Sequence, residues 1–177
     1  ACNTLSVLIA DTEFARTSSV PVVGIVDDGV EQIAEQLRDQ PTARNIIFAT
    51  QTTVDEGTHK NQLLELGFTD DQVLTQSCPQ LTLDEKDGPL SVSFNCTHFG
   101  YSMDSWMQAF ASRGIEVSAF LDPNARMIDF LLPENLQQRY TESVIKVKVV
   151  SMIDIPADRQ GSIGRWLHST SPVTEAA

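Results

Sequence analysis

The stretch "RNIIFATQTTVDEGTHKNQLLELGF" (44–68) joins a strand pattern directly to a helix pattern. Residues 44–50 form a largely apolar run, which is typical of a strand that is buried on both faces. Residues 53–68 are predicted to be helical, because Thr53 and Glu56 have the spacing of a capping box at a helix start. A buried strand that leads into a helix is the repeating unit of parallel sheets. The stretch therefore predicts an α/β fold.

The same alternation continues on both sides of this stretch. Val30, Ile33, Ala34 and Leu37 stand at helical spacing after an apolar run. A β-branched segment at 143–156 carries lysines at alternate positions, which is typical of a half-exposed edge strand. Strands that alternate with helices indicate βαβ units and a mainly parallel sheet flanked by helices. Strands are predicted over 20–27, 71–79, 89–97, 114–122 and 143–156, and helices over 27–39, 102–114 and 158–170.

Composition and charge exclude several classes of function. The chain carries a net charge of −12, which argues against nucleic acid or an anionic membrane as partner. No apolar run reaches the ~18 residues that a membrane-spanning helix needs, and no signal peptide is expected. Three cysteines at irregular spacing fit a reducing compartment, so a cytoplasmic protein is expected. No zinc-type spacing of cysteine and histidine occurs, and no metal site is expected.

Two triplets carry the residues suited to acid/base chemistry: Cys2-Asn3-Thr4 and Cys96-Thr97-His98. Each is expected at the carboxyl end of a strand, where open α/β sheets bind their ligands. Backbone N–H groups of a following helix are expected to lower the pKa of such a thiol. Small polar neighbours can hydrogen-bond to a substrate carboxylate, and a histidine close to a thiol can exchange a proton with it. Two thiols that face one another suggest proton abstraction on one face and proton return on the other, which inverts a stereocentre.

Each of these residues also has a structural interpretation when it is taken singly. A cysteine at the end of a buried run is commonly a small core residue, and this applies to Cys2, Cys78 and Cys96 alike. His98 fits a hydrogen-bonded structural histidine, and His59 fits an exposed residue on a helix. The pairing of the two triplets, rather than either one, favours the catalytic interpretation.

A series of motifs in a fixed order leads from these residues to a protein family. The motifs are "ACNT" (1–4), "PVVGIVDDG" (21–29), "ATQTTVDEG" (49–57), "SCPQL" (77–81), "NCTHFG" (95–100) and "SAFLDPNARM" (118–127). Through them, residues 1–127 resemble glutamate racemases of the aspartate/glutamate racemase superfamily. His98 after Cys96 and Thr97 favours the glutamate branch over the aspartate branch.

The resemblance implies two pseudo-symmetric α/β domains with the active site between them. The first domain would consist of 1–42 plus 117–177, and the second of 43–116. The implied activity is inversion of glutamate at Cα without a cofactor, as a step of peptidoglycan precursor synthesis. The expected partner is therefore glutamate or a related dicarboxylate, and because such racemases are often dimers, a homodimer is a further expectation.

The same resemblance assigns roles to individual residues. Cys2 and Cys96 would be the two acid/base thiols, one on each face of the substrate, and His98 would assist Cys96. Side chains that hold the carboxylates and the amine would be Asn3, Thr4, Thr50, Thr53 and Thr97. Thr53 would also keep its predicted role as a helix cap.

The chain departs from the family pattern at several places. The family begins with a strand ending in Asp-Ser-Gly and has a Pro-Tyr-Gly loop, and neither occurs here. Glu85 is the nearest counterpart of the family's Glu after its Cys-Pro stretch, and Gly100 stands where the family has Pro. We therefore expect the chain to be N-terminally incomplete and inactive by itself. A racemase-like protein that binds without racemising, or a sister isomerase or decarboxylase, remains an alternative.

Overall fold

A computed structural model of the chain describes residues 2–9, 12–20, 22–77, 88–127, 152 and 154–170. Helices and strands alternate along most of this length, as the hydrophobic periods predict. The helices are α1 (Asn3–Ile9), α2 (Glu13–Thr17), α3 (Val26–Asp39), α4 (Gln51–Glu56), α5 (Thr58–Glu65), α6 (Met103–Ala111) and α7 (Ala157–Thr170). The strands are β1 (Arg44–Ala49), β2 (Val73–Ser77), β3 (Leu90–Asn95) and β4 (Val117–Leu121). Short 3-10 turns lie at Gly100–Ser102 and Pro123–Arg126.

The four strands form one parallel sheet in the order β2-β1-β3-β4. The chain leaves β1 towards β2 and leaves β3 towards β4, so the direction of progression reverses between the two central strands. The register is fixed by pairs such as Ala49 with Asn95, the last residues of β1 and β3. The prediction of an α/β fold with a parallel sheet flanked by helices is therefore confirmed.

The two faces of the sheet have different chemistry. One face packs against aromatic side chains of α6. The ring centroid of Trp106 lies 5.2 Å from that of Phe48 and 5.4 Å from that of Phe94. The other face packs against α3 and α5, where Ile33 and Leu63 are completely buried. Both faces of the central strands are thus covered, as expected for strands in a parallel sheet.

The strand predicted over 20–27 is wrong. Residues 22–24 lie outside any strand, Val23 is exposed, and α3 already begins at Val26. The backbone N–H of Ile25 donates to Ser6 Oγ at 3.2 Å instead of joining a sheet ladder. An apolar run becomes a strand only where a neighbouring strand accepts its hydrogen bonds, and here the run serves as the entry to a helix.

The division into domains stays a prediction. The chain divides into two compact units, residues 1–137 and 138–177. β4 begins at Val117, which the sequence assigned to the first domain, yet it pairs with β3 from the predicted second domain. The helix predicted over 158–170 is confirmed as α7, whereas the strand predicted over 143–156 lies almost wholly outside the described residues. Within the part of the chain described here, no helix is long and apolar enough to cross a membrane.

Candidate active site

The reversal of strand progression places two residues of interest side by side. Thr50 directly follows β1 and Cys96 directly follows β3, and the residues before them, Ala49 and Asn95, are register partners. In open α/β sheets, ligands bind beyond the carboxyl ends of the strands at such a switch point. The fold therefore places one member of each predicted motif at the same edge of the sheet.

Cys96 and His98 are in contact. The Cys96 Sγ lies 3.4 Å from Nε2 and 3.7 Å from Nδ1 of the His98 ring. The thiol is buried, with 1% of the residue exposed, whereas His98 is exposed. The imidazole can therefore exchange a proton between this buried sulfur and the solvent, which is the chemical capacity that the spacing of the two residues suggested.

The pKa of Cys96 departs from the expectation drawn from sequence. Burial raises the pKa of this thiol, and the charge of Cys2 raises it further, while the backbone N–H groups of His98 and Thr97 lower it by a smaller amount. The predicted lowering of the pKa is therefore wrong for Cys96. A turn and a 3-10 segment follow Cys96 before α6 begins at Met103, so no helix N-terminus lies directly at the sulfur.

The two cysteines act on each other electrostatically. Cys2 and Cys96 are both free thiols, Cys2 half-buried and Cys96 buried. A charge on Cys2 affects the pKa of Cys96, and such an effect is appreciable only between groups that lie near one another. The structure thus brings the two predicted acid/base residues to one site, although 94 positions separate them in the sequence.

Three threonine hydroxyl groups form a triangle at the carboxyl end of β1. Thr4 Oγ1 lies 2.8 Å from Thr50 Oγ1 and 3.3 Å from Thr53 Oγ1, and Thr50 and Thr53 lie 3.0 Å apart. Thr4 and Thr50 are half-buried, whereas Thr53 is only 3% exposed. The hydroxyl groups of Thr4 and Thr50 are thus the ones within reach of a ligand, and Thr53 supports them from behind.

The predicted helix cap at Thr53 is wrong. Thr50 is the N-cap of α4, because its Oγ1 accepts a hydrogen bond from the backbone N–H of Thr53 at 3.4 Å. Glu56 is the last residue of α4 rather than part of a capping box at its start. Thr50 directly follows the strand, so it takes the first non-strand position and leaves Thr53 inside the helix.

The remaining predicted site residues lie in the same region. Thr97 is half-buried next to Cys96, and Asn3 is completely buried at the start of α1. The Oδ1 atom of Asn3 lies 3.2 Å from Nε2 of His59, so this part of the side chain already has a protein partner. Among the described residues, no group of three or more His, Cys, Asp or Glu side chains could hold a metal ion. Cys78 and Glu85 lie outside the described residues.

Sequence reasoning missed the role of His59. The residue was predicted to be exposed on a helix, but it is 2% exposed, and burial lowers its pKa to about 4. The available signal was its spacing of four residues from Leu63, which is also buried, because residues four apart share one face of a helix. A single histidine offers no further sign of burial in the sequence.

A buried row of polar side chains was missed as well. Asn45 Nδ2 donates to Ser91 Oγ at 2.8 Å, Ser93 Oγ donates to Asn45 Oδ1 at 2.9 Å, and Asn95 Nδ2 donates to Ser93 Oγ at 3.1 Å. All four residues are at most 1% exposed. The row runs along the face of β1 and β3 that α3 covers and ends at Asn95, the residue before Cys96.

Comparison with known proteins supports the class suggested by fold and site. The crystal structure of glutamate racemase from Campylobacter jejuni subsp. jejuni superimposes with a TM-score of 0.71 at 18% sequence identity. The match covers 94% of this chain and 71% of that structure. The chain therefore has the α/β fold of a glutamate racemase.

Sequence similarity points to the same proteins. Glutamate racemases of Helicobacter pylori strains P12 and ATCC 700392 / 26695 are 29% and 31% identical over 68 residues. The aligned segment is 38% of this chain and 26% of either relative, so the chain spans about a quarter of the length of the curated relatives it matches. No family model matches the chain. The resemblance to glutamate racemases is confirmed in sequence and in fold.

Proposed function

We propose that this protein is a cofactor-independent racemase that inverts glutamate at Cα, with Cys2 and Cys96 as its two acid/base groups. The observation that carries the proposal is the placement of two free thiols at the switch point of a parallel sheet: Cys96 directly follows β3, and the contact between Thr4 and Thr50 holds the segment of Cys2 at the end of β1. The similarity to proteins named glutamate racemase supports the substrate. The two pseudo-symmetric domains, the cytoplasmic location and the homodimer belong to the same proposal.

The reaction needs one thiolate and one thiol at a time. A thiolate on one face removes the Cα proton and becomes a thiol, and the electron pair of the broken C–H bond stays on Cα. The thiol on the other face then gives its proton to Cα and becomes a thiolate, so no proton is gained or lost overall. Because charge on Cys2 disfavours charge on Cys96, the doubly deprotonated pair, in which neither group could return a proton to Cα, is disfavoured.

The raised pKa of Cys96 sets its role at neutral pH. Burial favours the protonated thiol, so Cys96 begins as the proton donor to Cα. For the opposite direction, Cys96 must first lose its proton, and His98 is the group in contact that can accept it. We infer that His98 matters most for the direction in which Cys96 acts as the base.

Neutral donors are proposed to hold the substrate carboxylates. The hydroxyl groups of Thr4 and Thr50 are half-buried neighbours of the thiol pair, and Thr97 adjoins Cys96. Thr53 would contribute by orienting the other two hydroxyl groups. Asn3 keeps a free amide group, Nδ2, which makes no hydrogen bond to any residue that the structure describes. Its predicted contact with the substrate would come from that atom.

The test is solvent exchange at Cα. L-glutamate and D-glutamate are each incubated in deuterated water with the full-length protein, and the loss of the Cα proton signal is followed by NMR alongside chiral analysis. Exchange and inversion of both enantiomers are expected, with aspartate and alanine as comparison substrates. If glutamate raises the thermal midpoint of the protein but no exchange occurs with both thiols reduced, the alternative function of a racemase-like binding protein is correct.

A further inference from the structure

A buried polar cluster includes the residues that adjoin the two cysteines in the chain. Its members are Asn3, which follows Cys2, Asn95, which precedes Cys96, and His59 of α5. Asn3 and Asn95 are completely buried and His59 is 2% exposed. Polar groups at such depth are costly unless they are paired, so their placement next to both thiols calls for a functional explanation.

The bond between His59 and Asn3 has a defined direction. Because burial lowers the pKa of His59 to about 4, the ring is neutral at neutral pH and carries one proton. The Oδ1 of Asn3 can only accept, so the N–H at Nε2 of His59 donates to it across 3.2 Å. The first residue of α1 is thereby tied to α5, and Cys2 precedes that residue in the chain.

Asn95 joins the same cluster through the space that Gly29 leaves open. A Cβ atom on Gly29 would stand 2.7 Å from Asn95 Oδ1 and 3.6 Å from Nε2 of His59. The first distance is a clash and the second is ordinary contact, so both side chains border the position where α3 lacks a side chain. The other end of the Asn95 amide donates to Ser93, which fixes its orientation.

We propose that His59 is a positioning residue for Cys2, acting through Asn3, and that Gly29 and Asn95 position Cys96 in the same cluster. The two thiols are then held at a fixed separation with the help of His59 and Asn95, to which no contact with the substrate is assigned. This inference rests on the proposed acid/base roles of the two cysteines. Neither His59 nor Gly29 belongs to the motifs "ACNT" and "NCTHFG", which contain the two cysteines.

The experiment measures the reactivity of each thiol rather than turnover. The reduced chain is treated with limiting iodoacetamide, and the alkylation rates of Cys2, Cys96 and Cys78 are determined separately by mass spectrometry. The variants are His59→Leu, which removes the donor, and His59→Gln, whose amide can still donate to Asn3. The result can be read whether or not the chain racemises glutamate, so a failure here is distinct from a failure of the proposed function.

In His59→Leu, the released start of α1 is expected to open locally and raise the Cys2 rate at least about threefold. Cys78 serves as the reference thiol, and its alkylation rate should not change. His59→Gln should show the wild-type alkylation rate at Cys2. In Gly29→Ala, the displaced Asn95 is expected to change the Cys96 rate by a similar factor. This variant carries the test if His59→Leu does not fold.

Three results would overturn the proposal. The first is a Cys2 rate in His59→Leu that equals that of the wild type. The second is an equal effect of leucine and glutamine at position 59, because the hydrogen bond would then be irrelevant. The third is a parallel rise at all three thiols in every variant, because His59 and Gly29 would then serve only the stability of the fold.

Discussion

Thr50 Oγ1 lies 2.8 Å from Thr4 Oγ1, and this contact ties the segment that carries Cys2 to the carboxyl end of β1. Thr50 has a second task, since the same oxygen caps α4 through the N–H of Thr53. One hydroxyl group thus connects a local structural role with the geometry of the site. The two roles can be separated by substitution, because serine keeps the hydroxyl group and alanine does not.

We expect Thr50→Ala to lower the free energy of unfolding by about 1 kcal/mol through the lost helix cap. Thr50→Ser should stay close to the wild type in stability and in KM for glutamate, whereas Thr50→Ala should also raise KM. Urea denaturation and steady-state kinetics measure the two effects. Thr52→Ala is the matched control, because Thr52 is an exposed threonine in the same helix. Equal stability of the alanine and serine variants would show that Thr50 does not act as a cap.

Gly100 packs closely against Asp122. A Cβ atom there would collide with the Asp122 carboxylate, so either this side chain would have to leave its position as the cap of the 3-10 turn at Pro123–Arg126 or the loop after His98 would have to move. Gly100→Ala should lower the free energy of unfolding by about 1–3 kcal/mol, in the range of other overpacked sites. The control is Gly161→Ala in α7, where the added carbon would stand 3.5 Å from Arg165, an ordinary contact. Urea denaturation that finds the two variants equally stable would contradict the expected clash.

The buried imidazole of His59 predicts a loss of stability in acid. Its pKa is about 4 in the folded chain against about 6.5 when unfolded, so the unfolded chain takes up the proton first as the pH falls. The contribution of His59 to the free energy of unfolding is fully present above pH ~6.5. It declines by roughly 3 kcal/mol in total as the pH falls towards ~4. The difference in unfolding free energy between wild type and His59→Gln, measured from pH 7 to pH 4, isolates it. A difference that stays constant across this pH range would show that His59 is not the group responsible.

The buried thiol of Cys96 predicts a loss of stability at alkaline pH. Because burial raises the pKa of its thiol, the unfolded chain loses this proton first as the pH increases. The stability contributed by Cys96 is therefore present below pH ~8.5 and is lost as the pH rises through the higher folded value. Cys96→Ser should remove that part of the alkaline decline, which is measured by urea denaturation at increasing pH. A decline of the same size in wild type and Cys96→Ser would mean that the Cys96 thiol is not the group responsible.

Much of the fold follows from hydrophobic period alone. The four strands of the sheet and helices α3 and α6 lie where continuous apolar runs and helical spacing predict them. The strand prediction over 20–27 is wrong because hydrophobic period does not show whether a second strand is available for pairing. The polar alternation of "LSVSFN" (90–95) likewise suggests one solvent-facing side, yet all six residues are buried, since α3 covers the serines and the terminal asparagine.

Part of the candidate site was predicted from residue types rather than from hydrophobic period. Cys2, Cys96 and His98 belong to short motifs whose residue types already express their chemistry. His59 lies in none of these motifs, and Gly29 ends the motif "PVVGIVDDG" without a reactive side chain, because the roles of both depend on contacts that join α5 and α3 to residues far away in the sequence. The helix cap at Thr50 instead of Thr53 could not be predicted either. Both threonines fit a helix start, and only the position at which β1 ends decides between them.

The central claim is that Cys2 and Cys96 serve opposite faces of one Cα. It is tested most directly by Cα exchange in deuterated water with Cys2→Ser and Cys96→Ser in the full-length protein, each supplied separately with L-glutamate and D-glutamate. We predict that both variants lose inversion and that residual exchange is confined to one enantiomer in the first variant and to the other enantiomer in the second. Exchange that favours the same enantiomer in both variants, or inversion that survives the loss of either thiol, would contradict the account.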